Sequence, residues 1–112
     1  MRKKVKLEHT VIIPMYLGER FESLNLEGRD RNVALKFLRL LSKNSKRIND
    51  DNDMFNEVEF SYNYLSKSLG GSYNKVVNKL VEAKIVNRND FYSTKSHKCK
   101  KFSFNKEGDN LF

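Results

Sequence analysis

A pair of adjacent glycines, Gly70-Gly71, is the feature that most constrains how this 112-residue chain can fold. Glycine tolerates the positive φ that a helix C-terminus often needs, so the pair predicts the end of one helix. Before it, Tyr62, Leu65 and Leu69 recur at helical spacing, and Ser61 is suited to cap the first turn. The segment therefore predicts a short helix, a tight turn and a second helix.

The predicted second helix has one apolar side and one polar side. At 100° per residue the apolar side holds Tyr73, Val76, Val77, Leu80, Val81 and Ala83. The polar side holds Asn74, Lys75, Asn78, Lys79 and Glu82. An ordinary amphipathic surface helix shows the same division, and Ser72 would cap either kind. The polar side is dominated by Asn and Lys, which can bond adenine and guanine or phosphate, and this chemistry favours a helix that reads DNA.

A strand at residues 84–88 and a basic hairpin at residues 90–104 are predicted to follow the second helix. Phe102 and Phe104 alternate, which is typical of a strand with one side on the core. The intervening residues 94–101 contain no acid and four lysines, Lys95, Lys98, Lys100 and Lys101. This stretch is either a mobile, soluble loop tip or a surface that contacts phosphate.

The run Leu80-Val81-Glu82-Ala83-Lys84-Ile85-Val86 resembles the end of the recognition helix in winged helix-turn-helix DNA-binding domains. Lys84 stands where that family usually has glycine. The resemblance covers about half of the chain, and it implies an α+β fold with three main helices and a small antiparallel sheet that includes the wing. It places a recognition helix at about residues 72–84 in the major groove and a basic wing at residues 94–101 on phosphates. The residues expected to contact DNA are Ser72, Tyr73, Asn74, Lys75, Asn78, Lys79, Lys95, Lys98, Lys100 and Lys101.

The first half of the chain predicts the supporting elements. Residues 11–15 read as a short strand that Pro14 ends, residues 19–24 as one helical turn, and residues 24–28 as a connector. The longest helix is expected at residues 31–42, with Asp30 as its cap. Residues 57–60 alternate as a strand, with Val58 and Phe60 inward. We expect residues 1–28 to form an arm, strand and connector, residues 29–105 the winged-helix domain, and residues 106–112 a tail.

The positive charge is concentrated in the predicted DNA-binding half. The chain has a formal net charge of +8, and residues 61–104 hold nine Lys or Arg against only Glu82 and Asp90. Seven of the eight excess charges therefore lie in that segment, which points to phosphate as the partner. The four cations among residues 1–7 form either a solubilising end or an arm along a minor groove. A membrane surface is a weaker alternative, since no helix here pairs lysines with bulky apolar insertion residues.

Catalytic, metal and membrane signals are missing from the sequence. No apolar run of about 18 residues occurs and no apolar segment follows the basic N-terminus, so neither a membrane span nor a secretory signal is expected. Cys99 is the only cysteine, and His9 and His97 lack metal-ligand spacing. The aspartates at positions 50, 51 and 53 lack the glycine and glutamate of a calcium loop. We therefore expect no enzyme, no metal and no cofactor, and a cytoplasmic protein of bacterial, archaeal, viral or plasmid origin.

The predicted function is DNA binding in transcriptional regulation, by a monomer or a homodimer, on double-stranded rather than single-stranded DNA. An alternative is a replication or maintenance module of a phage or plasmid, because Lys100-Lys101-Phe102-Ser103-Phe104 resembles the aromatic wing of such modules. The other alternative is a winged helix that contacts only protein.

Overall fold

The computed structural model describes residues 4–7, 11–46, 54–92 and 98–106. In these ranges the chain is an α+β protein with four helices and two small antiparallel sheets, which confirms the predicted class and adds one helix and one sheet. The elements are β1 (Lys4–Leu7), β2 (Val11–Pro14), α1 (Met15–Ser23), α2 (Gly28–Ser45), β3 (Val58–Ser61), α3 (Tyr62–Leu69), α4 (Tyr73–Glu82), β4 (Val86–Tyr92) and β5 (Lys98–Phe104).

Some of the sequence predictions concern residues outside the described ranges. These are the basic residues 1–3, the two histidines, the aspartates at 50, 51 and 53, Lys95, and the tail beyond residue 106.

The N-terminal region forms a hairpin and a helix that share the protein's core. Strands β1 and β2 pair antiparallel, with Lys4 opposite Pro14 and Leu7 opposite Val11. Helix α1 then runs through nine residues, where the sequence predicted only one turn at residues 19–24. Its Leu17 and Phe21 are completely buried, so packing rather than a cap signal extends the helix. The described part of residues 1–28 thus contributes to the same core as residues 29–105.

Helix α2 is longer than predicted at both ends. It spans 18 residues instead of the expected 31–42. Its N-cap position is Glu27, and no side chain caps the first turn, so the prediction that Asp30 caps this helix is wrong. Asp30 lies within the first turn instead, where a carboxylate favours the positive end of the helix dipole. The buried side of α2 includes Ala34, Phe37 and Leu41, each with no exposed surface.

The three-stranded sheet has the order β3-β5-β4 and covers one side of α2. Val58 and Phe60 of β3 are buried while Glu57 and Glu59 are exposed, which confirms the predicted alternation. Phe102 and Phe104 are buried as predicted. The Phe37 ring meets the edge of the Phe102 ring at a centroid distance of 5.1 Å, and Phe60 lies 6.2 Å from each of them.

Helices α3 and α4 are separated by the predicted glycine turn. The Ser61 hydroxyl oxygen accepts a hydrogen bond from the Tyr64 amide at 3.1 Å, so the predicted cap of α3 is confirmed. Gly70 ends α3 with a φ of +98° and a ψ of 163°, a conformation that essentially only glycine adopts. Ser72 occupies the N-cap position of α4 but makes no capping bond, so that predicted cap is wrong. Its ψ of 18° differs from the extended backbone that caps require.

Gly70→Ala should lower the free energy of unfolding by about 1–3 kcal/mol, because the added Cβ would strain this backbone conformation. Gly71→Ala is the matched control, since Gly71 has no positive φ and a Cβ there would meet nothing within 4 Å. We expect the control to lie within about 0.5 kcal/mol of the unaltered protein in urea unfolding. Equal losses at the two positions would contradict the role given to Gly70.

Candidate nucleic-acid interface

Helix α4 presents the predicted polar face to solvent. Tyr73, Val76, Val77 and Leu80 are buried on its inner side. The exposed residues of α4 are Asn74, Lys75, Asn78 and Glu82. Of the two predicted contact residues at the start of the helix, Ser72 is exposed, whereas Tyr73 is only 5% exposed and belongs to the core.

Two polar side chains of this face are held by neighbouring elements. The Arg88 guanidinium of β4 donates a hydrogen bond to the side-chain oxygen of Asn78. The Lys79 ammonium lies 3.8 Å from the Asp30 carboxylate of α2, with both side chains about two-fifths exposed. An ion pair this exposed contributes little to stability, so it does not hold α2 and α4 together. The Asn78 amide nitrogen is a donor that the bond from Arg88 does not use.

The C-terminus of α4 is fixed by a Schellman motif. The Lys84 amide donates to the Val81 carbonyl and the Ile85 amide to the Leu80 carbonyl, each at 3.0 Å. Ile85 and Leu80 are both completely buried, which supplies the apolar contact that accompanies this motif. Lys84 has a φ of +60°, the left-handed conformation for which glycine is the usual residue. The turn therefore has the usual geometry of a Schellman motif, although lysine occupies the position that glycine usually takes.

The strained lysine backbone is held by side chains from two distant parts of the chain. The Lys84 carbonyl accepts hydrogen bonds from the Arg20 guanidinium at 2.8 Å and from the Asn105 side-chain amide at 2.7 Å. The Asn105 backbone amide donates to the Ile85 carbonyl at 3.0 Å, and the Asn105 carbonyl accepts from the Tyr16 hydroxyl. Helix α1 and the end of β5 thus clamp the point at which α4 passes into β4.

Three of the four predicted hairpin lysines lie in a strand rather than in a loop tip. Strand β5 begins at Lys98, which pairs with Tyr92, and Lys100 and Lys101 follow within it. Of the two interpretations of residues 94–101, the loop tip is therefore wrong from residue 98 onward, because pairing with β4 overrides the low strand propensity of lysine. Lys100 pairs with Phe60 of β3 and is half-buried, as is Lys101.

A cleft of about 190 Å³ joins the start of α4 to strand β5. Asn74 lines it from α4 and Lys100 lines it from β5, so one residue from each of the two predicted contact sets faces the same space. Tyr62 lines it from α3 and is 50% exposed, although its spacing grouped it with the buried Leu65 and Leu69. The remaining lining residues are Phe60, Leu65, Tyr73 and Phe102.

The cleft combines neutral and positively charged hydrogen-bond donors with aromatic rings. Burial, and secondarily the neighbouring Tyr62, raises the pKa of Tyr73 above its ordinary value of 10.0. The Tyr73 phenol therefore stays protonated over the physiological pH range. Its ring lies 5.9 Å from that of Tyr62.

Three further residues belong to this surface although the sequence did not predict them there, namely Arg88, Asp30 and Tyr62. Arg88 and Asp30 reach α4 only through the tertiary fold, and no spacing in the sequence connects them with Asn78 or Lys79. Tyr62 carried one usable signal, because it directly follows the cap residue Ser61, and first-turn positions are often exposed.

Comparisons of the chain with protein-family models, with curated proteins and with solved structures found no match. Among the described residues, no group of three His, Cys, Asp or Glu side chains is arranged to hold a metal ion. The helices in the described ranges include none with the length and apolar character needed to cross a membrane.

Lys84→Gly should raise the free energy of unfolding by about 0.5–1 kcal/mol. In the folded protein the left-handed conformation is costly for lysine but not for glycine, and this difference exceeds the cost of the greater conformational entropy that glycine has in the unfolded chain. Lys84→Val removes the same charge and should lower it by more than about 1 kcal/mol, since β-branched residues tolerate this conformation worst. Urea unfolding of the two variants measures both. A valine variant as stable as the glycine variant would contradict the geometry described for this turn.

Proposed function

We propose that this chain is a winged helix-turn-helix domain that binds double-stranded DNA. Helix α4 acts as the recognition helix in the major groove, and the β4–β5 hairpin acts as the wing. The order α2, β3, α3, α4, β4, β5 and the sheet order β3-β5-β4 support the proposal, because the resemblance at residues 80–86 implies this arrangement.

The observation that carries the proposal is the proximity of the two predicted contact sets. Asn74 of α4 and Lys100 of β5 line one cleft, so the polar face of α4 and Lys100 can meet one ligand together. Duplex DNA offers a partner for each of them, because base edges in the groove can meet the polar face of α4 and phosphates along the border of the groove can meet a lysine. Seven of the eight excess positive charges of the chain lie in residues 61–104, and this concentration favours a polyanion.

Individual side chains have distinct proposed roles. Asn78 reads adenine through its amide, and its side-chain oxygen is oriented by the bond from Arg88. Lys75 contacts phosphate at the groove border, and the lysines of β5 contact the backbone without reading bases. Lys79 contacts phosphate from its position beside Asp30.

The biological role that we propose is transcriptional regulation. Replication or maintenance of a phage or plasmid uses the same contacts, and the aromatic cleft beside α4 favours it as the second candidate, because replication exposes unpaired bases. In either role the domain binds and does not catalyse.

A salt titration of duplex binding tests the proposal. The logarithm of affinity should fall linearly with the logarithm of salt concentration, with a slope of about −3 to −6 for a footprint of this size. Fluorescence anisotropy of a labelled duplex at several salt concentrations measures the slope. A slope near zero, or no binding at low salt, would favour a module that contacts protein instead.

Two single-lysine variants test where the contacts lie within the same titration. Lys75→Ala removes an exposed charge from α4 and should reduce the magnitude of the slope by about 0.9. Lys36→Ala removes a charge that is also exposed, from the side of α2 opposite its buried residues, and the slope should not change. Equal effects of the two variants would show that net charge alone, rather than the face of α4, governs binding.

A further inference from the structure

The cleft beside α4 is walled mainly by aromatic rings. Phe60 and Phe102 form its floor on the sheet, and Tyr62 and Tyr73 form its helical side. The two phenylalanines are almost fully buried, whereas Tyr62 has half of its surface in solvent. The Tyr73 ring lies 5.9 Å from the Tyr62 ring, centroid to centroid, and is tilted from it by 55°. Tyr62 is thus the most exposed of the four aromatic rings that line the cleft.

The polar groups of the cleft suit a nucleotide. Asn74 is exposed and carries an amide donor and an acceptor, which together can pair with the edge of a base. Lys100 supplies a positive charge for a phosphate. None of the described residues that line the cleft is acidic, and across residues 61–104 cations outnumber acids by seven.

The size of the cleft is also informative. Its volume of about 190 Å³ is many times the roughly 10–15 Å³ of space that one ordered water needs. The space is therefore too large for one ordered water and suits a ring-sized occupant. Bases inside a duplex are stacked on one another and present only their edges in the grooves, so a ring can enter this space only from an unpaired nucleotide.

We propose that this cleft binds one unpaired nucleobase, which stacks on Tyr62 while Asn74 bonds its edge and Lys100 contacts the adjoining phosphate. The inference rests on the proposed function, and it extends the ligand from a duplex to a duplex with a single-stranded segment beside it. Base stacking on aromatic side chains tolerates any base, so the cleft recognises strandedness rather than sequence.

The test compares three probes on the unaltered protein. They are a blunt duplex, the same duplex with a short thymine extension, and the same duplex with an extension of abasic nucleotides, each made with the extension on either strand. The abasic extension retains the phosphates and lacks only the bases. We expect the thymine extension to tighten binding by about 5- to 150-fold over the abasic one, the effect of one stacked base.

The variant test compares two tyrosines of α3 that are exposed to a similar extent but line different clefts. Tyr62 lines this cleft, whereas Tyr64 is 45% exposed, packs on Phe60 at 5.9 Å, and lines a separate groove along β3. Tyr62→Ala should abolish the gain of the thymine extension over the abasic extension, a ratio that is measured within the same variant. Tyr62→Phe and Tyr64→Ala should both retain the gain, and thermal unfolding checks that each variant is folded.

The outcomes separate this inference from the proposed function. Equal binding of thymine and abasic extensions by the unaltered protein overturns the base cleft, whether or not any variant folds. If Tyr64→Ala reduces the gain from the thymine extension as much as Tyr62→Ala does, the base cleft is also overturned. If the blunt duplex binds with the expected salt slope but the extension adds nothing, the cleft inference fails alone. If only the extended probe binds, the cleft stands and the duplex proposal fails.

Discussion

The contact among Phe37, Phe60 and Phe102 is the interaction on which the rest of the structure depends. The three rings come from α2, β3 and β5, and their centroids lie 5.1–6.2 Å apart. Such pairs stabilise beyond the apolar area that they bury, and here they fix the three-stranded sheet against the central helix. Because Phe60 and Phe102 also form the floor of the cleft beside α4, the same rings that build the core shape the candidate site.

The turns before and after helix α4 orient it, rather than the helix propensity of its own residues. Gly70 turns the chain sharply before it, and Lys84 turns the chain after it in a conformation that usually belongs to glycine. The bonds from Arg20 and Asn105 to the Lys84 carbonyl bring helix α1 and the end of β5 to the same point. The exposed face of α4 is thereby held at a fixed angle to β5, which is the pre-organisation that a two-part contact with DNA needs.

The features that local chemistry determines could be predicted from the sequence. The Ser61 cap, the Gly70 break, the buried side of α4 and the alternation of β3 each depend on residues within a few positions of one another. The features that depend on distant pairing could not be predicted. Helix α1 exists because Leu17 and Phe21 reach a core built elsewhere, and strand β5 begins at Lys98 because β4 lies beside it. The Asn78–Arg88 bond and the cleft are likewise products of tertiary structure.

The proposed function requires that α4 and β5 form one DNA-binding surface. The most direct test is to record backbone amide chemical shifts of the isotope-labelled protein while a short duplex is added. If α4 and β5 bind the duplex together, the largest changes occur in the first half of α4 and along β5, while the exposed side of α2 around Lys36 changes little. Changes concentrated instead on the β1–β2 hairpin and α1, with α4 and β5 unaffected, would contradict a shared surface of α4 and β5.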